Sequence, residues 1–345
     1  MSNKSHGSTP SRRDMSTELA MGGQALIEGV MMRSPYRVAM AARTPDGGIA
    51  LRAFPYRPIT RRNKFYGLPI IRGAIGMVEA MKVGINALNW SAEKAEPKDS
   101  AEAKPVSLKD KLLGFLMTLV AIAFGVGIFL WLPYVLGKLL VGGDQGQVAF
   151  HLVAGAGRII ALIGYMWIIS QFKDIFRVFQ YHGSEHKTIF AYEQGQPLEP
   201  AQVLKQTRFH PRCGTSFLLI VAISAIIFFV LVDTLVVTLW GPYQNTLTRL
   251  LAHLPLIPLV AGLSFELLKF SAKHTRNPLV NALIQPGLWL QKITTKEPEA
   301  PMCEVAICAL EEALRDPAEA IEIDTTFAPG QHPYSRAAAP VAAMF

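Results

Sequence analysis

Two short clusters of histidine, cysteine and glutamate carry the most distinctive chemistry of the chain. They read YHGSEHK at 181–187 and HPRC at 210–213. His182 and His186 are four residues apart, so they share one face if the segment is helical, and His210 and Cys213 are three apart. Imidazole and thiolate are the preferred ligands of zinc and also bind several other transition metals. The spacing therefore predicts a metal site.

The first cluster has the residue order of the inverted zinc-peptidase motif, H-x-x-E-H. In that chemistry the two histidines hold the metal, and the glutamate takes a proton from the metal-bound water. Glu185 is thus the candidate general base. Zinc is the first candidate for the metal, and iron is the alternative if carboxylates complete the shell.

Other interpretations of these residues stay open at this stage. Three histidines and one cysteine would fill a closed structural zinc site, whereas a catalytic site uses three ligands and leaves a position for water. Cys213 could instead be a nucleophile paired with His210. The plainest alternative is a hydrated helix end followed by a small residue at the start of a membrane span.

Four further polar residues are candidates for the same site. Glu266 lies near the end of an apolar segment, where a carboxylate is unfavourable unless it is paired or bound to a metal. It is therefore a further candidate ligand. The alternative is that it turns toward Lys269 at the interface. Glu193 follows the first cluster and could bind the metal or support a ligand. Glu28 and Gln24 lie in the glycine-bounded run GGQALIEGVMMR at 22–33 and are candidates for a supporting role; the alternative is an ordinary strand.

Composition places these residues in a membrane protein. Half of the 345 residues are hydrophobic and only 17% are charged, which is unlike an ordinary soluble domain. The net charge of +8 accompanies no nucleic-acid-binding motif, so we expect a lipid bilayer and no nucleic acid as partner. Four apolar segments predict spans, namely Leu112–Leu136, Val148–Ser170, Ser216–Trp240 and Leu250–Leu268.

The distribution of lysine and arginine predicts the orientation. Residues 139–157 and 241–248 contain neither, whereas 171–212 and the regions before the first span and after the last are rich in both. By the positive-inside rule this predicts four spans with both termini in the cytoplasm. The loop that carries the two clusters, 171–215, is then cytoplasmic.

The predicted fold class is a mainly α integral membrane protein with about four transmembrane helices and a small N-terminal β-rich cytoplasmic module. The module covers 21–57, with a hairpin signal PDGG at 45–48. The other predicted regions are a disordered tail (1–20), an interfacial or re-entrant helix (58–90), a polar linker (91–110), the four-span domain (111–275), C-terminal cytoplasmic helices (276–315) and a second disordered tail (316–345).

Six blocks in order resemble the DUF1385 (YqhQ-like) family. They are GGQ…EGVMMR (22–33), YHGSEHK (181–187), HPRCGTSF (210–217), SFEL (264–267), PGLWLQ (286–291) and EVAI (304–307), so the likeness runs from about Met21 to Arg315. Ser184 stands where alanine is usual in the family. Because its members are bacterial membrane proteins, with plastid relatives, described as predicted metal-dependent enzymes, the resemblance implies a multi-pass protein of the bacterial inner membrane. It also marks the block around Gln24 and Glu28 as a signature.

Two functional hypotheses of different classes follow. The first is a metal-dependent, hydrolase-like enzyme that acts at the cytoplasmic face on a membrane-associated substrate. The second is a non-catalytic membrane scaffold, assembly factor or transporter subunit with a structural metal. Transport by one chain is disfavoured because four spans leave little room for a pathway unless the protein forms a homo-oligomer.

Overall fold

The computed structural model describes residues 21–97, 107–142, 147–244, 246–274, 277–315 and 321–331. The predicted N-terminal tail, 1–20, lies outside the described residues, as do 98–106 of the predicted linker and 332–345 of the C-terminal tail. The strands are β1 (Gly22–Leu26), β2 (Gly29–Arg33), β3 (Arg37–Arg43), β4 (Ile49–Pro55) and β5 (Ile323–Phe327). The helices are α1 (Ile71–Ala95), α2 (Leu108–Val126), α3 (Leu132–Val141), α4 (Gln147–Ile169), α5 (Lys173–Glu193), α6 (Pro200–Val203), α7 (Gly214–Trp240), α8 (Thr246–His253), α9 (Ile257–Lys273), α10 (Pro278–Thr294) and α11 (Ala300–Ala313).

The strands form one antiparallel sheet in the order β1-β2-β3-β4-β5. The predicted β-rich module supplies the first four strands, and the PDGG turn connects β3 to β4. The fifth strand corrects the sequence analysis, because residues 323–327 fall in the predicted disordered tail yet pair with β4, with Ile49 opposite Phe327. A short polar strand whose partner lies far away along the chain leaves no local signal.

Helices cover both faces of this sheet. On one face, Val30 and Met32 pack with Tyr181 of α5 and Met302 of α11. On the other face, α1 packs Ala87 and Trp90 against the remaining apolar side chains. Burial on both faces explains why β2 and β3 are almost continuously apolar rather than alternating.

Four helices are long and apolar enough to cross a membrane: Leu112–Val141, Val148–Ile169, Gly214–Trp240 and Leu251–Ser271. They coincide with the four segments predicted from the sequence. The first continues from α2 into α3 through a π-helical turn, Gly127–Trp131. In the fourth, Pro255 lies in a 3₁₀ turn and Pro258 in the first turn of α9, where a missing N–H is tolerated.

Helix α1 occupies the region predicted as an interfacial or re-entrant helix. It is one continuous helix of 25 residues, so it does not reverse direction as a re-entrant segment would. While its C-terminal half packs on the sheet, Val78, Met81 and Ile85 remain exposed. These three side chains form an exposed apolar stripe, and Lys82, Asn86 and Asn89 are exposed beside it.

A buried ion-pair network joins α4, α7 and α8 near the C-terminal end of α7. Asp233 is fully buried and accepts hydrogen bonds from Arg249 Nε (2.7 Å) and Tyr243 Oη (3.0 Å). His253 and His151 approach the same carboxylate at 2.6 Å and 2.8 Å. Because the network satisfies Asp233 inside an apolar helix, it fixes the packing of the span helices at this end.

Candidate metal centre

Helix α5 carries the first cluster on a buried face. His182 and His186 lie one turn apart, and their ring centroids are 4.5 Å from each other, which confirms the predicted helical spacing. The chain after α10 crosses α5 closely at Gly183, where a Cβ atom would collide with the carbonyl oxygen of Lys296. Glycine at this position therefore lets the segment after α10 pass close to α5.

Cys213 comes to the two histidines from the start of α7. It is the N-cap of that helix, and its Sγ accepts the N–H of Thr215 at 3.4 Å. The same sulfur lies 3.2 Å from His182 Nε2. Capping of the helix thus fixes the position of the thiol.

One donor atom from each of His182, His186 and Cys213 lies within 4.8 Å of the other two. In a tetrahedral zinc site with bonds of about 2.0–2.3 Å, ligand atoms are about 3.3–3.8 Å apart. Small side-chain rotations would bring the donor atoms from their present separations to those of a zinc site, so the three residues fit a divalent metal ion. We refer to them below as the His₂Cys group.

Backbone carbonyls orient both histidines of the His₂Cys group. His182 Nδ1 lies 2.8 Å from the oxygen of Thr294, and His186 Nδ1 lies 2.5 Å from the oxygen of Arg208. A carbonyl can only accept, so each Nδ1 carries the proton and each Nε2 keeps its lone pair. Metal-binding histidines have this arrangement. Burial lowers the pKa of His186 and so favours the neutral, metal-binding form.

His210, also a predicted ligand, lies beside this group rather than in it. Its ring centroid is 5.6 Å from that of His186. Its Nδ1 accepts the N–H of Arg212 at 3.2 Å, so in the neutral ring the proton is on Nε2, 3.6 Å from Glu193 Oε2. His210 therefore has the opposite tautomer from the other two and offers no free lone pair.

Glu185, the predicted general base, faces the same space. Its side chain is buried, and one carboxylate oxygen lies 3.9 Å from His182 Nε2. Burial raises the pKa of Glu185 above its ordinary value, while His182 and His210 act in the opposite direction. Together with the His₂Cys group and His210 it lines a cavity of about 250 Å³. The candidate ligands and the candidate base thus open onto one cavity.

Strand β1 passes directly over Glu185 at Gly23. A Cβ atom there would lie 2.5 Å from Glu185 Oε1, whereas a Cβ atom at Gly22 would meet nothing within 4 Å. We expect Gly23→Ala to displace the carboxylate and to destabilise the protein by about 1–3 kcal/mol through overpacking. Gly22→Ala is the matched control. Thermal unfolding in detergent should show a lower melting temperature for Gly23→Ala only, and equal melting temperatures would contradict the close contact.

Glu193 lies at the rim of the site, and Gln24 lines the cavity although its side chain points away from it. The Glu193 carboxylate pairs with Arg212 and approaches His210, so it lies near the His₂Cys group without joining it. The Gln24 side chain lies against Gly84 of α1, on the other face of the sheet. Adjacent strand residues point to opposite faces, and Gly23 takes the face toward Glu185.

Glu28 and Glu266 have partners outside the His₂Cys group. Glu28 lies in the β1–β2 turn with φ of 52° and pairs with Arg177, with one contact at 2.6 Å. Tyr181 also donates to it at 3.3 Å, so Glu28 anchors the turn to α5. Glu266 forms a two-point ion pair with Arg72 of α1, at 2.6 and 2.5 Å. That pairing satisfies its charge, and the structure does not bring it to the group as a ligand.

Sequence reasoning missed Gln291 of α10. Its amide forms two 2.8 Å hydrogen bonds with the backbone N–H and carbonyl of His210, and a third at 2.9 Å with Ser216 Oγ. The side chain is fully buried. It therefore fixes the loop that leads to Cys213. Its only signal in the sequence is a polar residue at the end of the apolar block PGLWLQ.

Replacement of Gln291 is expected to lower the free energy of unfolding. Gln291→Ala leaves buried backbone groups of His210 unsatisfied, which costs about 1–3 kcal/mol. Gln285→Ala on the same helix is the matched control, because it removes one exposed bond to Asn281. Melting temperatures in detergent measure both. An unchanged value for Gln291→Ala would show that water replaces the amide.

The structure defines a mainly helical protein that combines four helices apolar enough to cross a membrane with a sheet and helices that hold the largely buried His₂Cys group. The family described as "Protein of unknown function (DUF1385)" matches residues 68–316, and the chain belongs to this family. It is 35% identical over 306 residues to "Uncharacterized protein YqhQ" of Bacillus subtilis (strain 168), a match that covers 86% of this chain and 92% of that protein. No solved structure matches the chain.

Proposed function

We propose that the protein is a metal-dependent hydrolase that holds a divalent ion, zinc in the first instance, through His182, His186 and Cys213. One observation carries the proposal: three donor atoms and the buried carboxylate of Glu185 border the same cavity of about 250 Å³. A structural zinc site is closed by four protein ligands, whereas a catalytic site has three and an open position. Because the Nδ1 of His210 already accepts an N–H and its Nε2 carries the proton, His210 does not act as a fourth ligand, and the candidate ligand set has three members.

The residues around the cavity suit hydrolysis. A metal ion at the His₂Cys group would supply Lewis acidity, which polarises a substrate oxygen and makes water more acidic. Glu185 is placed to accept a proton from the attacking water and to deliver it to the leaving group. The water oxygen forms the new bond as the bond to the leaving group breaks, so one water is consumed for each bond cleaved.

The site is proposed to lie at the cytoplasmic surface of the bacterial inner membrane. Cys213 immediately precedes Gly214, the first residue of the third apolar helix, so the site is adjacent to a span. The lysine and arginine distribution supports a cytoplasmic position with both termini on that side. The exposed apolar stripe of α1 supports contact with the lipid surface. The substrate is accordingly membrane-associated, and homo-oligomerisation stays a prediction.

Metal content and hydrolysis, measured on the purified full-length protein in detergent, test the proposal together. We expect about one metal ion per chain, as for a single three-ligand site, and hydrolysis of p-nitrophenyl acetate or fluorescein-labelled casein that a chelator removes and zinc restores. Active metal-free protein would refute the proposal. Stoichiometric metal without hydrolysis of either probe would support the scaffold, assembly-factor or transporter-subunit alternative.

A further inference from the structure

One wall of the cavity is an outer edge of the sheet that the described strands form. Within the described residues, strand β1 has a single neighbour, β2, and lies at the end of the strand order. Its residues line the cavity from Met21 to Ala25, together with the His₂Cys group and Glu185. Gly22 and Gly23 are exposed. A sheet edge and a candidate catalytic centre thus face the same space.

The pairing of β1 with β2 shows which backbone groups point outward. Leu26 and Gly29 flank a two-residue turn, so they form a hydrogen-bonded pair. Hydrogen-bonded and non-hydrogen-bonded pairs alternate along the strand. The backbone N–H and C=O groups of Gln24 therefore point toward β2, whereas those of Gly23 and Ala25 point away from it. In the described part of the chain, no hydrogen bond from another element reaches these outward groups. The next outward N–H, that of Ile27, donates to Ser91 at 3.2 Å, so the open edge ends there.

Natural sheets usually protect such an edge with charges, proline or a covering element. The sequence of β1 is GGQAL, which contains no charge and no proline. The two glycines leave the edge without side chains, so another backbone can approach it. Strands pair at about 4.8 Å, and because β1 itself lines the cavity, a chain paired with β1 would run along that cavity.

We propose that the substrate is an extended polypeptide segment that adds to β1 as a sixth strand. The inference rests on the proposed function and names its substrate class. An edge with alternating outward N–H and C=O groups recognises a peptide backbone, which presents the complementary alternation. The acyl chain of a lipid has no such groups. The five residues of β1 span about 17 Å and therefore bind a segment of about five residues.

Pairing with β1 would also bring one peptide bond of the substrate close to Glu185. Gly23 lies over Glu185, so the substrate residue opposite Gly23 is the one nearest the carboxylate. The water oxygen bonds to the carbonyl carbon and the C–N bond breaks. The proton accepted by Glu185 passes to the leaving nitrogen, and the products are a carboxylate and an amine.

A proline in β1 tests the inference. Ala25→Pro removes an outward N–H but none of the hydrogen bonds to β2, and Ala25→Ser is the matched control that keeps the N–H. For the metal-loaded protein in detergent we expect Ala25→Pro to lower kcat/KM for fluorescein-labelled casein by about 5–10-fold, the equivalent of one hydrogen bond. Metal content should be unchanged, because Ala25 is not one of the three donors, and Ala25→Ser should keep the casein activity that Ala25→Pro loses.

The outcomes separate this inference from the proposed function. Metal-dependent hydrolysis of p-nitrophenyl acetate without cleavage of casein would overturn the inference and leave the hydrolase proposal standing. Casein cleavage that is equal in Ala25→Pro and the wild type would overturn strand addition alone.

A second measurement needs neither turnover nor a correctly folded proline variant. Residue-resolved hydrogen exchange on Glu185→Gln, with reduced and carboxymethylated α-lactalbumin as an unfolded polypeptide, should show slower exchange of the Gly23 and Ala25 amides. The amide of Gln24, which faces β2, is the internal control. Unchanged exchange at Gly23 and Ala25 would overturn the inference. Slowing caused by phosphatidylglycerol vesicles instead of the polypeptide would assign the edge to lipid and overturn it as well.

Discussion

Replacement of His186 or Cys213 by alanine is expected to abolish stoichiometric metal binding. Each supplies one of the three donor atoms that the described residues bring together, and two donors do not hold a divalent ion against dilution and detergent washes. Loss of a hydrogen-bond partner of a ligand lowers metal affinity by about 10–100-fold. Loss of a ligand itself should lower the metal affinity by more than that. Metal analysis of the purified protein measures the effect directly, because no substrate is needed.

His210→Ala and Glu266→Gln are the informative controls. Both residues are ligand candidates from the sequence, yet His210 accepts an N–H at Nδ1 and Glu266 pairs with Arg72. We expect both variants to retain about one metal ion per chain, as the three-ligand set requires. Melting temperatures should accompany these measurements, since both residues have structural partners. Loss of metal in a well-folded His210→Ala variant would contradict the three-ligand set and favour a closed structural site.

Glu185→Gln is expected to keep the metal and to lower hydrolysis by about 10²–10⁴-fold, the usual contribution of a general base. The amide has nearly the size of the carboxylate, so the contact with Gly23 is preserved while the proton acceptor is lost. Metal content and the rates with p-nitrophenyl acetate and labelled casein are the measurements. Glu193→Gln is the matched control, because Glu193 approaches His210 rather than the His₂Cys group.

The same variant decides between the two classes of function. The His₂Cys group also connects α5 to the start of α7. In the alternative function the metal has a structural role alone and stabilises the segment between the second and third apolar helices. In that case Glu185→Gln would leave function intact, whereas His186→Ala would destroy it. Equal hydrolysis by Glu185→Gln and the wild type would therefore count against catalysis and for the scaffold alternative.

Four separate parts of the chain assemble the site. Helix α5 supplies two ligands and the candidate base, and the loop before α7 supplies Cys213. Helix α10 fixes that loop through Gln291 and orients His182 through the carbonyl of Thr294. Strand β1 covers Glu185 at Gly23. Small changes in the packing of α10 should consequently reach the site without touching a ligand.

The sequence by itself determined the features that depend on local pattern. Apolar runs located the four candidate spans because a helix that crosses lipid must satisfy its backbone internally and present apolar side chains. The four-residue spacing placed His182 and His186 on one face of a helix, since that geometry is a property of any α-helix. The PDGG turn located the hairpin of the N-terminal β-rich module in the same way.

Tertiary structure decided which candidates meet. Glu266 pairs with a residue almost two hundred positions away, β5 pairs with β4 across most of the chain, and Gln291 reaches back to His210. A sequence pattern contains no information about such contacts, because they depend on how distant elements pack. The three-residue composition of the group likewise depends on hydrogen bonds to backbone carbonyls and amides, which set each histidine tautomer. The sequence thus determined which residues could bind a metal, and only the fold decided which of them share one cavity with Glu185.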